Sequence, residues 1–127
     1  PVEIEATLQL AQELSDQVVL VYQPHQNVRQ HEIRDQYHNS FENAQSIYWL
    51  PTYLSRENPA LPILRPEELI ADIANKSKIH IADINSDLWH AISSARKDGK
   101  LVLIMGAGSV DQWVRQQLKE EDELLRN

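Results

Sequence analysis

Two short segments of the sequence carry groups that could bind a small ligand. The first is Gln23-Pro24-His25, which follows an apolar run, with Arg29 one helical turn further on. A guanidinium binds a carboxylate through two parallel hydrogen bonds, and an imidazole beside it adds a polar contact. These residue types predict a site for a carboxylate-bearing ligand or partner. The alternative for Arg29 is an exposed ion pair with Glu32 or Asp35, which would contribute little.

The second segment is Gly106-Ala107-Gly108-Ser109, which separates an apolar run from a helical pattern. The backbone N–H groups of such a tight turn can face an anion or a neighbouring domain. The segment only begins like a dinucleotide-binding fingerprint, because Asp111 stands where the third glycine would be. The sequence also lacks the motif Gly-x4-Gly-Lys-Ser/Thr, so a phosphate loop for ATP is not predicted in this chain.

The five histidines do not predict a metal centre. No pair of them has the spacing of zinc ligands with supporting carboxylates, and the sequence has no cysteine to supply a thiolate. His38 and His90 fall within amphipathic helical patterns and are expected at the surface. His25 differs because it comes directly after a buried strand, where its side chain would point into a crevice.

Hydrophobic periodicity predicts alternating strands and helices that would position these residues. Short apolar runs predict four strands, at 18–22, 46–50, 78–82 and 101–105. Apolar residues at helical spacing predict helices at 1–14, 28–43, 66–73, 85–98 and 110–125. The proline-rich segment between Pro51 and Pro66 is predicted to be a long loop, and such loops in compact domains are often functional.

Strands that alternate with helices and connect through right-handed crossovers form a three-layer α/β/α, Rossmann-like fold with a mostly parallel sheet. The first and fourth strands are the most apolar, so we expect them to be neighbours in the middle of the sheet, in the order 3-2-1-4. The chain reverses direction between them, and ligands of open α/β sheets bind beyond the strand ends at such a point. This fold would bring Gln23-Pro24-His25 against the glycine turn at 106–109.

Composition excludes several other function classes. The formal net charge of −7 argues against nucleic-acid binding, because phosphate groups require a basic surface. No apolar run approaches the roughly 20 residues that a membrane-spanning helix needs. Together with the absence of cysteine, these features predict a cytoplasmic domain over residues 1–127. Because the sequence starts at Pro1 rather than at methionine, we expect it to be part of a longer protein.

Three motifs in this order resemble the C-terminal domain of the Mur ligases, and within that family its alanine-adding branch. They are Pro1-Val2-Glu3-Ile4 ahead of a helix, Tyr22-Gln23-Pro24-His25 with Arg29, and Met105-Gly106-Ala107-Gly108-Ser109. The resemblance implies an ATP-dependent ligase that joins an amino acid to UDP-N-acetylmuramate during peptidoglycan synthesis. It also implies a central domain that binds ATP and Mg²⁺, an N-terminal domain that binds the UDP-sugar, and a fragment that is inactive alone and contains no catalytic residue.

The resemblance also implies which residues bind the incoming amino acid. His25 matches the histidine of the family's Gln-Pro-His motif, and Arg29 matches the second arginine of a His-Arg-x-x-Arg pattern. Gln26 stands at the first arginine, which removes one positive charge from the expected carboxylate site. In the long loop, Tyr53 and Glu57 match the ends of the family's Tyr-Pro-Ala-Gly-Glu motif, while the three residues between them differ.

Two alternatives to an alanine-adding ligase stay open at this point. A related murein peptide ligase would use the same fold with another amine donor. A non-catalytic binding or regulatory domain would have kept the fold and lost its site, and both Gln26 and the divergent Leu54-Ser55-Arg56 favour this alternative.

Overall fold

The computed structural model describes residues 1–106 and 108–126, which form alternating helices and strands. The helices are α1 (Val2–Gln12), α2 (Asn27–Ile33), α3 (Pro66–Leu69), α4 (Ser86–Lys97) and α5 (Ser109–Arg126). The strands are β1 (Val18–Tyr22), β2 (Ser46–Trp49), β3 (Ile79–Ile81) and β4 (Leu101–Met105). Short 3-10 helices cover Arg34–Gln36 and Lys76–Lys78.

The four strands form one parallel sheet in the order β3-β2-β1-β4, which confirms the predicted topology. β1 pairs with β4 in a register that runs from Val18 opposite Leu101 to Tyr22 opposite Met105. Both strands therefore end at the same level. The residues that follow them, Gln23 and Gly106, start side by side at the carboxyl edge of the sheet.

The sheet is covered on both faces, as the three-layer prediction requires. One face packs against α1 through Ile4, Leu8 and Ala11, and against an aromatic group made by Tyr22, Tyr37, Phe41 and Trp49. The other face packs against α4 and α5, mainly through Leu88, Ile92 and Val110. In β1, residues Val18, Val19, Leu20 and Val21 are at most 2 % exposed, which confirms that this strand is buried on both faces.

Two helices are shorter than the sequence predicts, because turns and one tertiary hydrogen bond follow them in place of further helical turns. The helix expected at 28–43 ends at Ile33 and continues as a 3-10 turn and a series of turns. The helix expected at 66–73 ends at Leu69, after which the Ala74 N–H donates to the carbonyl of His38. The apolar positions at helical spacing are nevertheless buried in both segments: Ile33, Tyr37, Phe41, Leu69 and Ile73.

The expectation that β4 lies in the middle of the sheet is wrong. β4 is an edge strand among the described residues, and each of its five residues is only partly buried. A continuous apolar run indicates that helices cover the two faces of a strand, and it carries no information on whether both hydrogen-bonding edges are paired. The edge position of β3, in contrast, is as predicted.

The fourth helix has a side-chain cap at its start and a glycine just past its end. The Oδ1 of Asn85 accepts a hydrogen bond from the Leu88 N–H at 3.0 Å, and Gly99 just past the helix end has a φ of +78°. Of the helices in the described part of the chain, none combines the length and apolarity needed to cross a bilayer.

Replacing Leu20 with alanine should lower the free energy of unfolding by about 2–5 kcal/mol, because the side chain is fully buried in the central strand and its removal leaves a cavity. Leu14→Ala is the matched control: that side chain is 80 % exposed, and the change should stay within about 0.5 kcal/mol. Urea unfolding of both variants measures the difference. Equal effects would contradict the burial pattern.

Candidate functional site

A cleft of about 470 Å³ opens at the carboxyl ends of β1 and β4. Its walls come from the start of α1, the end of β1, the first turns of α2 and the end of β4. His25, Arg29 and Gly106 all line it. The two segments that the sequence singles out thus meet at one cleft, where the rule for open α/β sheets expects a ligand.

Gln23 holds the two strand ends together. Its N–H donates to the carbonyl of Met105 at 2.9 Å, and its side-chain Nε2 donates to Ser109 Oγ at 2.9 Å. Its Oε1 accepts from the Val110 N–H at 3.2 Å, in the first turn of α5. The side chain is buried and its amide is bonded at both ends, so Gln23 forms the back of the cleft rather than a ligand contact.

Close packing explains both described glycines of the turn. A Cβ on Gly106 would lie 2.8 Å from Val110 Cγ1 and 2.9 Å from Gln23 Cβ. A Cβ on Gly108 would lie 2.5 Å from the ring of Tyr53. Ala107, the other residue predicted for this turn, lies outside the described residues.

His25 is exposed and its ring stacks on Tyr53. The two ring centres are 5.8 Å apart and the planes are inclined by 13°. The backbones are also joined, because the Gln26 N–H donates to the Tyr53 carbonyl and the Tyr53 N–H donates to the Pro24 carbonyl, both at 2.8 Å. Tyr53 therefore supports the imidazole from the side of the long loop and covers Gly108.

Arg29 lines the cleft and forms an exposed ion pair. Its Nη1 lies 3.1 Å from Glu32 Oε2, and the two side chains are 57 % and 59 % exposed. An ion pair in this environment is worth little, because water solvates both groups and the long side chains lose entropy. The guanidinium can exchange Glu32 for a ligand carboxylate at small cost.

Glu57 caps the N-terminus of α2. Its carboxylate accepts hydrogen bonds from the N–H groups of Asn27 at 2.9 Å, Val28 at 3.0 Å and Ser55 at 2.8 Å. Desolvation raises the pKa of Glu57, but these three backbone donors and the nearby His25 lower it more, so the pKa lies below its ordinary value. Glu57 joins the long loop to the helix that carries Arg29.

Gln26 and Asn27 strengthen the same connection. Gln26 has a φ of +63° and donates from Nε2 to the Ser55 carbonyl, so its side chain contacts the loop and is not among the residues lining the cleft. Asn27 is 1 % exposed; it accepts from the Leu64 N–H and donates to the Pro62 carbonyl. The Asn27 side chain thus joins α2 to the end of the long loop and does not cap its own helix.

Sequence reasoning missed a buried chain of hydroxyl and amide groups beneath the cleft. The Tyr22 and Tyr37 hydroxyls are 2.8 Å apart, and Tyr37 donates to Gln30 Oε1 at 2.5 Å. Gln30 Nε2 in turn donates to the His25 carbonyl at 3.1 Å. Gln30 is 1 % exposed, yet nothing in its local sequence distinguishes it from a surface glutamine.

The described residues contain no group of three or more histidine, aspartate or glutamate side chains that could hold a metal ion. The carboxylate of Glu57, beside the cleft, already accepts three backbone hydrogen bonds. The cleft lining combines Arg29, His25, Tyr22, Glu3 and glutamine amides with apolar side chains such as Ile4, Ile33 and Met105.

Comparison with known proteins gives a consistent set of relatives. The chain is 32 % identical over 130 residues to the UDP-N-acetylmuramate–L-alanine ligase of Bartonella bacilliformis, a match that covers 100 % of the chain and 27 % of the relative. The ligase of the same name from Allorhizobium ampelinum is 31 % identical over 89 % of the chain, and that from Brucella ovis 32 % identical over 89 %. No family model matches the chain.

The chain is a homologue of the Mur ligases. The match falls in the C-terminal region of these relatives, and the chain spans about a quarter of their length. The resemblance to Mur ligases inferred from the Gln-Pro-His and glycine-turn motifs is confirmed, as is the Rossmann-like fold that it implies.

Replacing Glu57 with glutamine should lower the free energy of unfolding at neutral pH, because the N–H groups of α2 lose a charged acceptor. Because folding lowers the pKa of Glu57, its ionised carboxylate stabilises the fold at pH values above the ordinary pKa of 4.5. This stabilisation is lost as the pH falls through the folded-state pKa. The difference between wild type and E57Q should therefore be constant near pH 7 and shrink in acid. Urea unfolding across pH measures it, with the exposed Glu123→Gln as control; a difference that grows in acid would contradict the assignment.

Replacing Gly108 with alanine should displace the Tyr53 ring, since the new methyl group would overlap it. The His25 ring protons lie over that ring and should shift in the NMR spectrum. Gly99→Ala is the control: its Cβ would meet no atom within 4 Å, and only its φ of +78° strains the backbone. Unchanged His25 signals in G108A would show that Tyr53 does not pack against this turn.

Proposed function

We propose that this chain is the amino-acid-binding domain of an ATP-dependent ligase that joins an amino acid to UDP-N-acetylmuramate in peptidoglycan precursor synthesis. The observation that carries the proposal is the shared cleft of His25, Arg29 and Gly106 at the carboxyl ends of β1 and β4. Homology along the whole chain to ligases named for this reaction supports it. As part of this proposal, the protein acts in the cytoplasm.

In this proposal Arg29 binds the α-carboxylate of the amino acid. Its guanidinium leaves Glu32 and makes two parallel hydrogen bonds with the ligand, an exchange that the exposed ion pair permits. His25, held by Tyr53 and by the Gln30 contact to its carbonyl, provides a polar contact beside the amino acid. The domain contributes by orientation: holding an amine in line with an activated carboxylate can lower a barrier by several kcal/mol.

ATP and Mg²⁺ do not fit the residues of this chain. The sequence lacks a phosphate loop, and the described residues lack a cluster of metal ligands. We therefore assign ATP, Mg²⁺ and the UDP-sugar to other domains of a longer ligase, in agreement with relatives about four times as long as this chain. Without those domains, the chain is expected to have no ligase activity.

A second candidate is a ligase of the same family with a different amine donor. Gln26 occupies the position of a family arginine, and its side chain donates to the Ser55 carbonyl instead of lining the cleft. The carboxylate site would then have one cation where the family pattern has two. A panel of amino acids and short peptides, tested as amine donors with the complete ligase, distinguishes the two candidates.

The test is Arg29→Ala in the complete ligase. Loss of the carboxylate partner should raise the KM for the amino acid by at least tenfold, because a hydrogen-bonded charge pair is removed, while the KM for ATP stays within about twofold. Steady-state kinetics with each substrate varied in turn measures both.

Arg34→Ala is the matched control, since Arg34 follows α2 and does not line the cleft. It should leave both KM values unchanged. Equal increases in the amino-acid and ATP KM values for R29A, or the same increase for R34A, would contradict the proposed role.

A further inference from the structure

The buried chain that ends at His25 fixes the direction of each of its hydrogen bonds. A carbonyl oxygen can only accept, so Gln30 must present its NH₂ group to the His25 carbonyl and its Oε1 to Tyr37. The Tyr37 hydroxyl then donates its single proton to Gln30 Oε1. The contact between the two tyrosine hydroxyls therefore requires Tyr22 to donate and Tyr37 to accept.

Because Tyr22 donates its proton to Tyr37, the Tyr22 oxygen can only accept further hydrogen bonds. Its proton points to Tyr37, while the residue itself lines the cleft beside α1. Burial raises the pKa of Tyr22, the hydrogen bond with Tyr37 lowers it and the charge of Glu3 raises it, with a net upward shift. The hydroxyl consequently keeps its proton at neutral pH, and the lone pairs of its oxygen can accept a hydrogen bond from a ligand.

Glu3 adds a second acceptor to the same wall of the cleft. It lies in the first turn of α1, lines the cleft with Tyr22, and its negative charge acts on the Tyr22 hydroxyl. The wall formed by α2 carries Arg29, a donor, with the exposed imidazole of His25 near it. The cleft therefore carries side-chain acceptors from Glu3 and Tyr22 and a cation from Arg29, beside the main-chain N–H groups at the start of α1.

We propose that Tyr22 Oη and Glu3 bind the amino group of the amino acid whose carboxylate contacts Arg29. This inference rests on the proposed function and deepens it, because it fixes the orientation of the amino acid in the cleft. A zwitterion matches both walls at once, whereas a simple carboxylate contacts Arg29 alone. Tyr22 and Glu3 thereby select for an α-amino acid over the corresponding deaminated acid.

The experiment uses Tyr22→Phe and Glu3→Gln in the complete ligase, with two probes. L-Alanine carries both groups, and propionate is its deaminated counterpart. Each variant should raise the KM for L-alanine about tenfold, the factor expected for one hydrogen bond to a charged group. The inhibition constant of propionate should stay within about twofold of the wild-type value, because propionate has no amino group for Tyr22 or Glu3 to bind.

Matched controls exist for both changes. Tyr48→Phe removes a tyrosine hydroxyl on β2 that lies outside the cleft, and Glu5→Gln removes a carboxylate on α1 that also lies outside it. Both should leave the two constants unchanged. Should Y22F fail to fold, as judged by its thermal unfolding, E3Q at an exposed position still tests the proposal.

The outcomes separate this inference from the function on which it rests. Arg29→Ala should raise both constants, since both probes carry a carboxylate. If R29A does so while Y22F and E3Q leave L-alanine binding unchanged, or weaken propionate equally, the amino-group site is overturned and the carboxylate site stands. If R29A changes neither constant, the proposed function fails, and this inference fails with it.

Discussion

The pairing of β1 with β4, continued by Gln23 beyond the strand ends, is the interaction on which the rest of this structure depends. The two strands are more than 75 residues apart in the sequence, and their in-register alignment brings residue 23 beside residue 106. Gln23 then bonds to Met105, Ser109 and Val110 with its backbone and both ends of its amide. These hydrogen bonds tie the start of α5 to the end of β1, and the cleft opens in front of Gln23.

The long loop has a structural role that is inseparable from its place at the site. Its Glu57 supplies the cap that α2 lacks in its own sequence, and its Tyr53 supplies the surface on which His25 rests. The first turn of α2 carries Arg29, so the position of that guanidinium depends on a carboxylate about 30 residues away in the sequence. Tyr53 and Glu57, the two loop residues that match a family motif, thus contact the segments that carry His25 and Arg29.

The sheet could be predicted from sequence almost to the residue, whereas the loop contacts could not. β1 and β4 have the predicted bounds because each is a continuous apolar run that ends near Pro24 or Gly106. Such runs favour strands covered by helices on both faces. The helix predicted at 28–43 is too long because Ile33, Tyr37 and Phe41 keep their spacing and burial in a chain of turns. The Glu57 cap and the Tyr22–Tyr37–Gln30 chain depend on tertiary contacts, and no local pattern encodes them.

The central claim is that the cleft in front of Gln23 is where this domain binds an amino acid. The most direct measurement is an NMR titration of the isotopically labelled chain with L-alanine, in which backbone amide and Arg side-chain signals are followed together. We expect concentration-dependent shifts at Arg29, His25, Tyr22 and Gly106. Arg34 and His38, which line a separate cleft of about 220 Å³, should stay unchanged. Shifts confined to Arg34 and His38, or the absence of shifts at Arg29, His25, Tyr22 and Gly106, would contradict the claim.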